Sequence, residues 1–193
     1  PSRFPHTIFQ IFTTTIRFSQ LGWDGMKNTN SILLIISILF LWLDRLQARG
    51  EGFLPRQGVM VSATPLGTVY CGRGATVQTL SVVYGTLGLD GVITRASGLI
   101  SFPVSSKRRV LPLVSYHHGT ILDPNDVPSQ GGGGLGKAVL CRFGENSLLV
   151  APDYLGLGIS KGFHPYLHAQ SEASASLDLL RSAKRFYSDL GFH

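Results

Sequence analysis

Cysteine and charge are both scarce in this chain of 193 residues. Its only two cysteines, Cys71 and Cys141, allow a single disulfide, and the sequence leaves open whether they pair or remain free buried thiols. Charged residues make up 15% of the chain, and only the tripeptide from Lys107 to Arg109 forms a basic run. Because no basic stripe with interleaved aromatic residues is present, we do not expect nucleic acid as a partner.

A long membrane-spanning run is also missing. The apolar run from Ser31 to Leu43 is shorter than the ~20 residues of a comfortable membrane span. It follows a positive start and precedes small residues, which is typical of a secretory signal peptide. We therefore predict that residues 26–50 are a signal peptide that directs the protein to the exterior, periplasm or cell envelope. An uncleaved anchor that touches the membrane through the same run is the alternative. Residues 1–25 are predicted to be an unstructured upstream segment, with Met26 as the true start.

The composition predicts a folded domain. Apolar residues make up 44% of the chain and aromatic residues 10%, which is enough to build a core and argues against disorder. Residues 51–79 are rich in Gly, Pro and Thr, and we predict an irregular N-terminal arm there. Residues 80–193 are predicted to form one α/β domain.

The pattern of apolar runs predicts how this domain is ordered. Strand-like runs at 80–87 and 92–102 flank Asp90-Gly91, a strong hairpin signal. Two further buried strands are predicted at 110–116 and 147–151, with a short helix at 135–143 between them. The order predicts an α/β sheet with an antiparallel hairpin followed by β-α-β-α.

The clearest helix is predicted at residues 171–190. Its apolar positions recur at spacings of three and four, which indicates one buried face. This predicted face consists of Ala173, Leu177, Leu180, Ala183, Tyr187 and Leu190.

The segment from His117 through His118 and Gly119 to Thr120 ends a predicted buried strand. A sharp turn at the glycine would direct backbone N–H groups into a site, as an oxyanion hole requires. The histidines could instead act as a general base or as metal ligands. Adjacent side chains on an extended backbone point to opposite sides and cannot easily share one ion, so we predict no metal site.

Ser160 lies in a literal G-x-S-x-G match that begins at Gly158. A nucleophile elbow needs its serine on a tight turn directly between a strand and the following helix. Here the predicted strand ends near Pro152, and Pro165 intervenes before the helix. We interpret the match as chance and keep Ser160 only as an alternative nucleophile.

The run that begins at Gly131 and ends at Gly136 fits G-x-G-x-x-G, a dinucleotide-binding pattern. That pattern needs a strand immediately before it, whereas residues 124–130 are turn-like. Asp153 lies about where a ribose-binding carboxylate would be expected. A nicotinamide-binding oxidoreductase is therefore an alternative hypothesis. A flexible loop is the ordinary interpretation, and we predict no cofactor.

Several of these motifs, taken together, resemble one family. The segments VSYHHGT at 114–120 and VAPDYLGLG at 150–158 are similar to the oxyanion loop and the following strand of α/β-hydrolases of the secretory lipase and esterase type. Three further segments resemble the same family: the hairpin around Asp90-Gly91, the tripeptide His164-Pro165-Tyr166 and the helix that begins at Ser171. The resemblance covers about residues 80–190.

The resemblance implies the N-terminal half of an α/β-hydrolase fold, ending before the nucleophile elbow. It further implies an exported serine ester hydrolase whose Ser-His-Asp triad lies beyond residue 193, so the chain by itself is expected to be inactive. The backbone N–H of Thr120 would stabilise the oxyanion, with Gly119 and His118 in the same loop. Asp153 and Tyr154 would line the wall of the substrate site. The implied substrate is an ester or lipid, and a non-catalytic binding protein on a hydrolase scaffold is a further alternative.

Overall fold

The computed structural model describes residues 56–104 and 110–190. The described residues all belong to one unit of the chain, Phe40–His193. The predicted upstream segment at 1–25 and the predicted signal peptide or anchor at 26–50 lie outside them. No helix within the described ranges is long and apolar enough to cross a membrane.

The described residues form one five-stranded mixed sheet with helices packed against it. The spatial order is β1-β2-β3-β5-β4. Antiparallel pairing joins β1 to β2, β2 to β3 and β3 to β5, whereas β4 runs parallel to β5. The strands are β1 Met60–Gly72, β2 Ala75–Leu87, β3 Ile93–Pro103, β4 Leu113–Ser115 and β5 Leu148–Pro152. The helices are α1 Lys137–Gly144 and α2 Ala169–Asp189, with a short 3₁₀ helix at Pro128–Gln130.

The predicted hairpin and the β-α-β-α order that follows it are confirmed. β2 and β3 pair in register from Leu87 opposite Ile93 to Val77 opposite Pro103. The turn between them closes through Gly88, whose N–H donates to the carbonyl of Val92 at 2.8 Å. The parallel strands β4 and β5 are connected through the 3₁₀ helix and α1, as a crossover requires.

The prediction of an irregular arm over residues 51–79 is wrong for residues 60–72 and 75–79, which belong to β1 and β2. Positive φ angles at Gly72, Arg73 and Gly74 let the chain reverse between the two strands. Pro65 is tolerated because β1 is an edge strand, and a register shift lies beside it. The glycine, proline and threonine content that suggested a loop belongs to this bulged edge strand.

The helix predicted at 171–190 is present as α2, but its buried face is rotated from the predicted one. Ala183 and Tyr187 are buried as expected, whereas Leu177 is 50% exposed. The buried face instead includes Ala175 and Leu179 together with small polar residues such as Ser182. Apolar spacing alone misplaced the face, because small serines are also buried on it. The hydroxyl of Ser176 donates to the carbonyl of Glu172, whereas that of Ser182 has no hydrogen-bond partner among the described residues.

The two cysteines form a disulfide between Cys71 at the end of β1 and Cys141 in α1. Their Cα atoms are 5.2 Å apart, which is within the usual range for a disulfide. The question left open by the sequence is therefore answered in favour of pairing.

Candidate functional site

The candidate site lies where two neighbouring parallel strands end. β4 ends at Ser115 and β5 ends at Pro152, so their carboxyl ends meet at one edge of the sheet. The N–H of Tyr116 donates to the carbonyl of Val150 at 2.8 Å and extends the pairing by one step. The loop that follows β4 contains the sequence from His117 to Thr120, which we call the HHGT loop. This is the edge at which ligand sites of open α/β sheets form.

His117 is held between two hydroxyl groups. Its Nδ1 lies 2.8 Å from the hydroxyl of Tyr154, and its Nε2 lies 3.1 Å from Oγ of Ser115. The rings of His117 and Tyr154 are stacked, with centroids 6.3 Å apart. His117 therefore connects the strand that precedes the HHGT loop to the loop after β5.

His118 faces two backbone carbonyl groups. Its Nδ1 lies 2.7 Å from the carbonyl oxygen of Gly119, and its Nε2 lies 3.2 Å from that of Asp153. The ring also packs against Tyr154, with centroids 4.6 Å apart. A carbonyl oxygen can only accept, so a neutral ring with one N–H satisfies one of these contacts and a doubly protonated ring satisfies both. His118 thus fixes the HHGT loop to the backbone after β5.

Thr120 and Gly119 are exposed at the tip of the HHGT loop. The side chain of Thr120 is bonded to Tyr166, with 2.7 Å between the two hydroxyl oxygens. Its backbone N–H has no acceptor among residues 56–104 and 110–190. A Cβ added at Gly119 would meet no described atom within 4 Å. The loop therefore offers an available donor beside open space, as an oxyanion hole requires.

The side chain of Asp153 is fully buried and points away from this space. Its carboxylate accepts a hydrogen bond from Oγ of Ser97 at 2.5 Å and another from the N–H of Ser129 at 2.9 Å. Burial raises the pKa of Asp153, although these bonds and nearby His118 oppose the rise. Only the backbone carbonyl of Asp153 reaches the HHGT loop.

Tyr154 has φ 70°, a left-handed conformation that is unusual for a bulky residue. Its side chain is largely buried, and burial raises the pKa of its hydroxyl above the ordinary value, with the charge of Glu172 as a second cause. The hydroxyl is therefore neutral at physiological pH and is available as a hydrogen-bond partner for His117.

Ser160 does not have the geometry of a nucleophile elbow. β5 ends at Pro152 and α2 begins at Ala169, so Ser160 lies in the middle of a long loop. It is buried, and its N–H donates to the carbonyl of Leu157 at 3.1 Å. None of the hydrogen bonds made by the four described histidines involves its hydroxyl.

The glycine run from Gly131 to Gly136 lacks the strand that a dinucleotide fingerprint needs. The 3₁₀ helix Pro128–Gln130 lies immediately before it. Asp126 accepts a hydrogen bond from the N–H of Gly133 at 3.0 Å, and the hydroxyl of Tyr116 donates to the carbonyl of Gly133 at 3.2 Å. The run is therefore a packed loop beside β4, and the nicotinamide-binding hypothesis is wrong in its structural premise.

The described ranges contain no group of three or more His, Cys, Asp or Glu residues that could hold a metal ion.

Three participants in the site were not identified from the sequence. Ser97 and Ser129 bind the Asp153 carboxylate, and Tyr166 binds Thr120. Their partners lie 56, 24 and 46 residues away along the chain, so no local pattern indicates these contacts.

Comparison with solved structures identifies proteins with a similar fold. A protein provisionally named a hydrolase from Legionella pneumophila matches with a TM-score of 0.62 and 31% identity, over 68% of this chain and 40% of its own. The rice cell wall degrading esterase LipA from Xanthomonas oryzae matches with a TM-score of 0.58 and 26% identity, over 72% of this chain and 40% of its own. Its N228W mutant gives a TM-score of 0.61 at 25% identity with the same coverage.

No protein-family model and no curated protein sequence matches the chain. The chain spans about 40% of the length of these solved structures. The five-stranded mixed sheet with its helices agrees with these matches. The chain has the fold of the N-terminal part of an α/β-hydrolase and is related to the lipase- and esterase-like members of that superfamily.

Proposed function

We propose that this chain carries the oxyanion-binding part of an exported serine hydrolase that acts on carboxylic esters. The observation that carries the proposal is the backbone N–H of Thr120, an exposed residue in the loop after β4. This N–H has no acceptor among the described residues. Its loop is fixed on both sides by His117, His118 and the side chain of Thr120 itself. A preorganised donor of this kind stabilises negative charge that develops on a carbonyl oxygen.

The proposed reaction is acyl transfer through a Ser-His-Asp triad. A serine oxygen attacks the ester carbonyl while a histidine takes the serine proton. The carbonyl oxygen becomes an oxyanion, which accepts a hydrogen bond from the Thr120 N–H. Collapse of the tetrahedral intermediate expels the alcohol, which takes the proton from the histidine, and water then releases the acid by the same steps. The serine, the histidine and the acid that orients it are proposed to lie outside this chain.

Two serine–histidine pairs are present among the described residues. His168 and Ser171 are bonded to each other where α2 begins, with 3.1 Å between Nδ1 and Oγ. The pair at the candidate site is Ser115 with His117, and Tyr154 is its third member. It is a poor nucleophilic system for two reasons. Ser115 lies within β4 and not on a turn that exposes its oxygen. The raised pKa of Tyr154 keeps its hydroxyl neutral, so it provides no negative charge to stabilise a protonated His117.

The surroundings of the HHGT loop favour a substrate with an apolar part. Leu122, Phe163 and Leu167 are 94%, 84% and 75% exposed. The loops that carry them are joined by the bond between Thr120 and Tyr166 and by the bond from the Gly158 N–H to the carbonyl of Pro124 at 2.9 Å. Large apolar side chains that are exposed on loops joined to a polar site are a feature of ligand-binding surfaces. An ester or lipid with an apolar chain is therefore the proposed substrate.

Export is supported by the disulfide between Cys71 and Cys141, because such bonds persist in oxidising compartments and are rare in the cytosol. The signal-peptide pattern at residues 26–50 is the sequence feature that would direct it. Secretion or residence in the cell envelope is the proposed location.

Hydrolysis of p-nitrophenyl butyrate tests the proposal. We expect the complete gene product to release p-nitrophenolate and the 193-residue chain alone to release none above background. Failure of the complete product to hydrolyse any short ester would favour a non-catalytic binding protein on this scaffold. Hydrolysis by the 193-residue chain that is lost in Ser115→Ala or in Ser160→Ala would contradict the placement of the triad outside it.

A further inference from the structure

The surroundings of the buried Asp153 carboxylate are not those expected of a residue that serves only the stability of the fold. The side chain is fully buried, and burial is the main cause of its raised pKa. A site built only for stability would either match such a charge with an opposite charge or replace it with an apolar residue. Here neutral donors on Ser97 and Ser129 hold the carboxylate.

The same carboxylate brings three separate segments together. Ser97 belongs to β3, and Ser129 belongs to the 3₁₀ helix before α1. Oγ of Ser97 also accepts a hydrogen bond from the N–H of Ile159 at 3.1 Å, which adds the loop after β5. Gly158 fits against this group only because it lacks a side chain, since a Cβ there would collide with both Ser97 and Asp153. The backbone around Asp153 is therefore fixed from several directions.

The fixed backbone forces the next residue into a costly conformation. Tyr154 has φ 70°, a left-handed conformation that is unfavourable for a residue with a Cβ. Strain of this kind persists where the surroundings over-determine the backbone, and it is concentrated at functional sites. In this conformation the Tyr154 hydroxyl lies 2.8 Å from Nδ1 of His117, while the Asp153 carbonyl lies 3.2 Å from Nε2 of His118.

We propose that Asp153 is a positioning residue for the HHGT loop: its buried carboxylate fixes the Asp153–Tyr154 corner, and the corner holds His117 and His118 so that the Gly119 and Thr120 N–H groups keep their orientation. The carboxylate touches no substrate and takes no proton in the reaction. The inference rests on the proposed function for its consequence in catalysis, but the ordering of the loop is measurable without any activity.

The test measures backbone ¹⁵N order parameters in the complete gene product, with Asp153→Asn as the central variant. The amide retains an acceptor for the Ser129 N–H but leaves the Ser97 hydroxyl proton without its carboxylate. We expect S² at Gly119 and Thr120 to fall from about 0.85, the value of rigid backbone, to below about 0.6. We also expect the melting temperature to stay close to that of the wild type, because the neutral amide removes the cost of burying a charge.

Asp178→Asn is the matched control. Asp178 is equally buried, on α2, and accepts hydrogen bonds from Thr86 at 2.9 Å and from Arg181 at 2.7 Å. We expect this variant to melt several degrees lower while S² at Gly119 and Thr120 stays at the wild-type value. A purely structural role for Asp153 predicts the same pattern as Asp178→Asn, with a lower melting temperature and an unchanged loop, and that result would overturn the proposal.

Ser97→Ala provides a second test that keeps the carboxylate. It removes both the donor to Asp153 and the acceptor of the Ile159 N–H, so we expect the same loss of order at Gly119 and Thr120. An ordered HHGT loop in a folded Ser97→Ala chain would contradict the proposal.

An ester hydrolysis assay on the complete gene product separates the positioning role of Asp153 from the proposed hydrolase function. Lost loop order with no detectable wild-type activity leaves the positioning role intact and counts against the proposed function alone.

Discussion

At the scale of single residues, Thr120 and Asp153 differ in their exposure to solvent. Thr120 is exposed in the loop after β4, and its backbone N–H has no acceptor among the described residues. Asp153 is fully buried, and burial holds its pKa above the ordinary value of 3.8. The first residue is the proposed oxyanion donor, and the second contributes a buried charge that the fold must accommodate at a cost.

The pH dependence of stability reports on Asp153 directly. Because its pKa in the folded state is raised, the unfolded chain loses this proton at a lower pH than the folded chain does. The stability contributed by the protonated carboxyl is therefore complete below about 3.8 and is lost as the pH rises through the folded-state value. We expect the melting temperature of the wild type, measured relative to Asp153→Asn, to fall between pH 3 and pH 7.

Thermal melts of both proteins across this range give the measurement, and subtraction removes the contribution of the other carboxyl groups. A wild type that gains stability relative to Asp153→Asn as the pH rises would show that the folded-state pKa is lowered.

The sequence indicated the location of the site but not the way it is held. The HHGT loop and the loop after β5 are adjacent because each follows a buried strand, and apolar runs reveal such strands. The burial of the Asp153 side chain depends on Ser97 and Ser129, which are distant in the chain. Long-range pairing of this kind leaves no periodic pattern, so it could not be predicted.

At the scale of elements, the position of α2 against the sheet depends on a close approach to β3. Gly98 has no side chain, and a Cβ built there would lie 2.7 Å from the carbonyl oxygen of Ala151 and 2.8 Å from Cδ2 of Leu179. The backbones of β3 and β5 and the side chains of α2 therefore meet around one glycine.

Gly98→Ala is expected to lower the free energy of unfolding by roughly 1–3 kcal/mol, because the added methyl group overpacks this contact. Gly119→Ala is the matched control, since its Cβ would meet no described atom within 4 Å, and we expect its stability to be unchanged. Urea denaturation of the two variants measures both effects. Equal stabilities for the two variants would contradict the close approach of α2.

The sequence predicted an element correctly where its own residues carry a clear local signal, and failed where they do not. The Asp90-Gly91 turn identified the β2–β3 hairpin, because that dipeptide suits a tight reversal. β1 was missed because Pro65 and its glycines resemble loop residues, although an edge strand tolerates them. The buried face of α2 was misplaced because it includes polar side chains: Asp178, which accepts a hydrogen bond from Thr86, and several small serines.

At the scale of the whole molecule, one covalent bond joins the edge of the sheet to the crossover. The disulfide links residues 70 positions apart, Cys71 at the end of β1 and Cys141 in α1. A cross-link over so long a segment restricts the unfolded chain strongly and stabilises the folded state.

Removal of the disulfide by Cys71→Ser together with Cys141→Ser is expected to lower the free energy of unfolding by about 2–4 kcal/mol. Urea denaturation with and without dithiothreitol measures this. The reductant should destabilise the wild type and leave the double variant unchanged. A wild type that is indifferent to reduction would contradict a structural role for the bond.

The most direct measurement of the oxyanion role is kcat/KM of the complete gene product for p-nitrophenyl butyrate in two variants of Thr120. Thr120→Pro removes the backbone N–H, whereas Thr120→Val keeps it and removes only the hydroxyl that binds Tyr166. We predict that kcat/KM falls about 10²–10³-fold in Thr120→Pro, the usual effect of losing one oxyanion donor, and that Thr120→Val retains most of the wild-type value. Wild-type kcat/KM in a folded Thr120→Pro enzyme would contradict an oxyanion-binding role for the HHGT loop.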